Sequence, residues 1–258
     1  MIHTVQLHEV SWTEAKKLSD KTDVAILPVG STEQHGPHNP LGTDHLIAAA
    51  FSKTVGDRTD VPVLPVIPVG VSEHHRQFPG TLWVPQQIFR EYVLNVALSA
   101  ASHGFKKILI FNGHGGNTAA LIEVAGILRR QYGIFSAVLM TFPPGINGHA
   151  GAEETSMNLF YHGNLVHMER AVDTLQKEKL GSIKITGMSK LGSFDFPWDT
   201  IDLTETGVLG GAGRTIVSTT ATREKGEELM KPFTDEVVKM VEEIKKAKLE
   251  ELLSKPHK

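Results

Sequence analysis

Residues 23–38 read DVAILPVGSTEQHGPH, an unbroken apolar run that ends abruptly in a glutamate and two histidines. Apolarity that is continuous rather than alternating marks a strand buried on both faces, and such strands belong to sheets covered by helices. The same grammar extends outward. Upstream, SWTE has the form of a capping box, with Ser11 as N-cap and Glu14 answering it, and opens a helix to about Asp20. Downstream, DHLIAAAFSKTV (44–55) reads as a helix. VPVLPVIPVG (61–70) reads as a strand whose prolines keep it short or near an edge. PQQIFREYVLNVALSAASHGF (85–105) is a long helix with proline in its first turn and Gly104 as a stop. Strand KKILIFN (106–112), helix TAALIEVAGILRRQYG (118–133) and strand IFSAVLMTF (134–142) follow. The alternation predicts right-handed crossovers and a three-layer α/β/α fold with a mostly parallel central sheet, in a single domain over 1–258.

Composition narrows the function. The hydrophobic share of 40% and charged share of 21% are those of an ordinary globular chain. A net charge of -3 without blocks of like charge gives no footprint for nucleic acid or membrane. There is no cysteine, so thiolate chemistry is excluded and a metal would have to be held by His, Asp and Glu. The first residues, MIHTVQLHEVSW, lack the basic and apolar regions of a signal peptide, and a cytoplasmic location is the expectation.

Each strand is followed by a loop rich in chemistry: STEQHGPH, VSEHHRQFPGT, GHGGN and PPGINGHAGAEETS. Open α/β sheets bind ligands beyond the carboxyl ends of their strands, so these four loops are expected to share one rim. Glu33 and His35, two apart, project to the same side of extended chain. Asp44 begins the next helix, where it could bridge two divalent ions while Glu33 and His35 each take one. His114 enters from another strand end, and His149 and Glu154 come from the fourth loop, at the start of the helix EETSMNLFYHG (153–163). Oxygen donors mixed with imidazoles suit Zn, Mn or Fe(II). Other readings of the same residues compete. GHGGN could instead cradle a phosphate on backbone N–H groups. Ser31 lacks the G-x-S-x-G elbow of a nucleophile. His74 and His75 read as rim residues, and His3, His8, His103, His162, His167 and His257 as structural or solvent-exposed.

Taken together and in order, PVGSTEQHGPHNPLGTDH (28–45), SEHHRQFPGT (72–81), FNGHGGN (111–117) and HAGAEETS (149–156) resemble the creatininase family, and TGVLGGAGRTIVSTTATREKGEEL (206–229) resembles its C-terminal portion. The resemblance implies an α/β fold, two divalent metal ions per subunit, a homo-oligomer (commonly a hexamer) and hydrolysis of cyclic or small amide bonds. It implies Asp44 as the bridge, Glu33 and His114 on one ion, His35 on the other, and His149 in proton transfer. Creatininase carries a glutamate two residues after its counterpart of His114, where this chain has Gly116. The missing carboxylate is expected from Glu154, placed with His149 in the catalytic set, or from Glu153 if the helix register differs. Creatininase's tryptophans near the fourth loop have no match in FPPGINGHAG (142–151), so creatinine is not the expected substrate. The GHGGN branch includes a deformylase of a ribosylaminopyrimidine phosphate, a peptidase of redox-cofactor maturation and hydrolases of cyclic polyol ketones. The expected activity is metal-dependent amidohydrolysis of a cyclic amide, a formamide or a similar small C–N bond. The alternatives are a hydrolase or isomerase of a cyclic polyol ketone or sugar-like substrate, and a non-catalytic nucleotide- or phosphate-binding module. Residues 222–255 read as helix divided at Pro232 and covering the sheet, and residues 198–213 as a lid.

Overall fold

In the computed structural model, which describes residues 4–146, 148–187 and 190–253, the capping box at Ser11 is formed and opens α1 (Trp12–Ser19). Strand β1 (Val24–Val29) leads into α2 (Thr43–Thr59), and α3 (Gln86–Ser102) into β2 (Lys107–Asn112). Then come α4 (Thr118–Tyr132), β3 (Phe135–Met140) and α5 (Ala152–His162). The three strands pair in parallel in the order β1-β2-β3, with Val24 opposite Lys107 and Lys107 opposite Phe135.

The expected strand at 61–70 is present only as a broken ribbon. Val63 and Ile67 bridge Ile26 and Val29 in parallel along the free edge of β1. Leu64 and Ile67 donate to the carbonyls of Ile26 and Pro28. Pro62, Pro65 and Pro68 have no N–H to give, so the ladder is interrupted at every third residue. The chain therefore steps from β1 to one side, then returns to its other side for β2. That reversal makes the crevice beyond the carboxyl ends of β1 and β2 a topological switch point, the place where such sheets bind ligands.

Alternate residues of β1 feed two cores. Ala25 and Leu27 pack with Phe89, Val93 and Ala97 of α3 and Leu121 and Val124 of α4. Val24 and Ile26 pack with Ile47, Phe51 and Val55 of α2 and with Met230, Phe233 and Val237. Helices thus cover both faces, as predicted. Those last three residues belong to a C-terminal helix, Arg223–Lys246, that is not divided at Pro232. Pro232 and Glu228, whose carbonyl it leaves unpaired, both lie on the exposed side, so water can satisfy the group.

Between α5 and that helix lies an excursion that the sequence reading did not foresee. Strand β4 (Thr174–Leu175) pairs with β9 (Thr215–Ile216). Strands β5 (Lys179–Leu180), β6 (Ile183–Gly187), β7 (Lys190–Leu191) and β8 (Phe194–Asp195) form an antiparallel sheet, followed by α6 (Thr200–Leu203). Helix α7 is Arg223–Lys246, and a short α8 (Leu249–Leu252) follows it. None of the helices among the described residues is long and apolar enough to cross a membrane.

Candidate metal centre

At the switch point the chain gathers side chains from four elements. Glu33 and His35 follow β1, Asp44 stands in the first turn of α2, His114 follows β2, and Glu154 stands in the first turn of α5. All five are buried, Glu33 to 0% exposure. Two sets of three have donor atoms mutually within 4.8 Å: Glu33 with Asp44 and His114, and His35 with Asp44 and Glu154. Asp44 is common to both. Its Oδ1 lies 3.1 Å from His35 Nε2 and its Oδ2 lies 3.1 Å from His114 Nδ1. Glu33, His35 and His149 form a third such set.

Tight packing makes the shared aspartate possible. A Cβ at Gly113 would lie 2.3 Å from the Asp44 carbonyl oxygen, and one at Gly30 would lie 2.4 Å from His45 Cα. The start of α2 is seated directly on the ends of β1 and β2 because both positions lack a side chain. On the other side of the cluster, Ala150 is left-handed (φ 57), and its N–H donates to Glu154 Oε2.

Hydrogen bonds fix which nitrogen of each imidazole faces the cluster. His35 Nδ1 donates to the Glu33 carbonyl at 3.1 Å, and His114 Nε2 donates to the Val71 carbonyl at 3.0 Å. A carbonyl only accepts, so those nitrogens carry the protons. The opposite nitrogens, His35 Nε2 and His114 Nδ1, point at carboxylates. Glu33 Oε1 lies 3.2 Å from His114 Nδ1, yet both Glu33 oxygens and Asp44 Oδ2 are buried and accept no hydrogen bond. These nitrogen–oxygen pairs need positive charge to hold them together, supplied either by a second proton on each imidazole or by a cation in its place. Imidazoles that bind metal commonly donate their second N–H in this way, to a backbone carbonyl. Donor atoms about 2.0–2.1 Å from a zinc ion sit roughly 2.9–3.4 Å apart at tetrahedral to octahedral angles, and the contacts of 3.1 to 3.2 Å fall in that range. The His35–Glu154 contact is longer, at 3.6 Å, and the clusters as a whole are of a kind that could hold metal.

The titration of the cluster agrees. Burial alone would depress His35, but Asp44 and Glu154 hold it well above 6.5. His114 is depressed by burial and raised further by Glu33 and Asp44, ending well above 6.5. Burial would raise Glu33, and His114 and His75 carry it well below 4.5 instead. The three carboxylates thus draw positive charge onto the imidazoles, a demand that divalent ions would meet.

His149 differs. Burial, then His35 and His75, push it well below 6.5, so its ring is neutral near pH 7. Its Nε2 lies 2.7 Å from the Gln34 backbone carbonyl, to which it donates, and 2.9 Å from the Gln34 side-chain amide nitrogen, while Nδ1 faces the cluster 3.8 Å from Glu33 Oε1. His149 also exchanges backbone hydrogen bonds with Leu209 at 2.7 and 3.1 Å. Part of the segment expected to be a lid therefore acts as scaffold for this residue.

Several expectations are corrected here. His75 is not a rim residue: it is buried, with Nε2 at 3.2 Å from Glu33 Oε1. Gln34, which the sequence did not single out, turns its amide nitrogen to His75 Nδ1 at 2.9 Å and to the Gly207 carbonyl at 3.1 Å. Glu153 faces outward to Lys225 at 3.3 Å, whereas Glu154 Oε1 lies 3.6 Å from His35 Nε2. A Cβ at Gly116 would meet His114 Nε2 and the Val71 carbonyl at 2.4 Å, so a carboxylate there would displace the His114 anchor. An aromatic wall is present, but from the excursion: Trp198 stands edge-on to His74, with ring centroids 4.9 Å apart. With Phe142, Ile146, Phe196 and Met140 it lines a cavity of about 850 Å³ over the cluster. His74 lines it too, pushed down to about 3 by burial and His75. His8, His103 and His167 are exposed, and His162 bonds the Leu46 carbonyl at 3.1 Å. His3 and His257 lie outside the described residues.

A model of the creatininase family, described as creatinine amidohydrolase, matches residues 8–241. The mycofactocin precursor peptide peptidase of Mycobacterium tuberculosis (strain ATCC 25618 / H37Rv) is 30% identical over 248 residues, 90% of this chain and 90% of the relative. The 3-dehydro-scyllo-inosose hydrolase of Thermotoga maritima is 27% identical over 267 residues, 93% of this chain and 83% of the relative. Two solved creatininases, one described as of Zn-Zn type and one as creatininase Mn, are each 25% identical with a TM-score of 0.76, over 95% of this chain and 100% of theirs.

Proposed function

The chain belongs to the creatininase family, and from that premise we propose that it is a hydrolase holding two divalent cations and opening a small C–N bond, as in a cyclic amide or a formamide. One observation carries the reading: two buried sets of donors share Asp44, and on the side of Glu33 and His114 the Glu33 oxygens and Asp44 Oδ2 accept no hydrogen bond. Glu33, Asp44 and His114 would hold one ion, and His35, Asp44 and Glu154 the other. Zn, Mn and Fe(II) all suit this set of oxygen and nitrogen donors. When bound, such a pair supplies a nucleophile at neutral pH and polarises the carbonyl under attack.

The chain's own residues supply the rest. His149, neutral and with Nδ1 facing the cluster, takes the proton released by the attacking water and returns it to the leaving nitrogen. Gln34 fixes the tautomer through its carbonyl. Trp198 and Phe142 provide an apolar wall that excludes water and seats the substrate. Among the described residues no lysine or arginine lines this cavity, which weighs against a site built for nucleotide phosphates. A small-molecule substrate, a cytoplasmic location and a homo-oligomeric assembly are part of the same proposal.

A second reading, hydrolysis of a cyclic polyol ketone, is favoured by the Thermotoga maritima relative. Assay of Mn- and Zn-loaded protein on cyclic amides, formamides, short peptides and cyclic ketones tests both. Release of amine or ammonia from amides, lost on chelation, is the expected result. Turnover confined to the ketones would replace the first reading by the second.

A further inference from the structure

Behind the cation cluster lies a second polar layer that no step above uses. Asn158 Nδ2 donates to Thr43 Oγ1 at 2.7 Å and to Asn39 Oδ1 at 3.2 Å. Asn39 Nδ2 donates to Thr155 Oγ1 at 2.9 Å, and the same hydroxyl meets His38 Nε2 at 2.9 Å. Thr43, Thr155, Asn158 and His38 are all buried. Neutral polar groups in the interior are costly unless hydrogen-bonded, and these bonds satisfy the layer except at Asn158 Oδ1 and His38 Nδ1.

What the chain joins gives it a role. Thr43 precedes Asp44, Thr155 follows Glu154, and Asn158 lies one helical turn beyond Glu154 on the same face of α5. The start of α2 is already seated on β1 and β2 through Gly30 and Gly113. Of the ties between α5 and that fixed start, which include His162 on the Leu46 carbonyl and Thr155 on Asn39, the one from Asn158 to Thr43 reaches the residue next to Asp44. Resting on the two-cation reading above, we infer that Asn158 is a positioning residue that sets the gap between Glu154 and Asp44, and thereby the affinity of the ion site they form with His35. Glu33 and His114 stand on the other side of Asp44, and their ion does not depend on the tie.

The test is a Mn(II) titration of the metal-free full-length protein, with free Mn(II) read by electron paramagnetic resonance. Wild type takes two ions per chain. Asn158→Leu, of similar size but without the amide, keeps one ion at wild-type affinity and weakens the other by roughly 10–100-fold, the usual cost of losing a partner behind the ligands. Thr155→Val, which cuts the same chain at its far end, reproduces the selective loss and carries the test if Asn158→Leu does not fold. Met157→Ala, which damages α5 without touching the chain, lowers the melting temperature and leaves both affinities unchanged. Wild-type binding of both ions in Asn158→Leu and Thr155→Val, or the same selective loss in Met157→Ala, overturns the inference. Failure of wild type to take two ions overturns the reading beneath it, and the inference with it.

Discussion

His149 and His35 have their rings in contact, at 4.1 Å between centroids, yet their environments drive them in opposite directions. Two carboxylates near Nε2 keep His35 charged, whereas burial and then the neighbouring imidazoles of His35 and His75 keep His149 neutral. Replacing His149 by Ala should therefore leave both ions bound and cut turnover by roughly 10²–10⁴-fold, the range for a general acid–base group. Metal analysis beside kcat separates this from a ligand's role, since loss of an ion would make His149 a ligand. The same opposition sets the pH response of the metal-free chain. His35 and His114, raised above 6.5, stabilise the fold fully below that value and less as pH rises through their folded values. His149, His74 (about 3) and His38 (about 4, depressed by burial and by His35) are held neutral, so their contribution is full above 6.5 and falls as pH drops toward those values. Urea midpoints should peak near pH 6.5 without metal and fall toward pH 8.5. Saturating Mn(II) should remove that alkaline fall, because ions replace the protons. An alkaline fall that persists with Mn(II) bound would argue that the imidazoles are not ligands.

Elements that pack through long apolar runs are legible in the sequence. β1, β2 and β3 each announce themselves by continuous apolarity, and the loops behind them carried Glu33, His35, Asp44, His114 and Glu154 to the place the strand ends required. The ribbon at 61–68 was half legible: its composition showed a strand, and its prolines decided that it would not form a full ladder. The excursion was illegible because its strands run two to five residues, too short for a period to register. His75 and Gln34 were hidden for another reason, since their importance comes from burial against Glu33 and His149, which a local pattern does not encode. Gly113 is needed for packing, because the start of α2 rests against it. Gly113→Ala would press a methyl into the Asp44 carbonyl, at a cost of about 1–3 kcal/mol for overpacking. It should lower the melting temperature and weaken both ions together, because both sites share Asp44. Wild-type ion affinity in a destabilised Gly113→Ala protein would show that the seat of α2 is not what places the aspartate.

At the scale of the molecule, the sheet's reversal after β1 explains why one short rim can collect ligands from segments as distant as Glu33 and Glu154. Helix α7, packed against both α2 and α5 on one face of the sheet, holds them side by side, and the antiparallel excursion closes the cavity with Trp198. All of this serves one claim, that two divalent ions sit on either side of Asp44. Anomalous diffraction from crystals of Mn-loaded protein tests it most directly. Two peaks are predicted, one touching Glu33, Asp44 and His114 and the other touching His35, Asp44 and Glu154. A single peak, or a pair that does not share Asp44, would contradict the account.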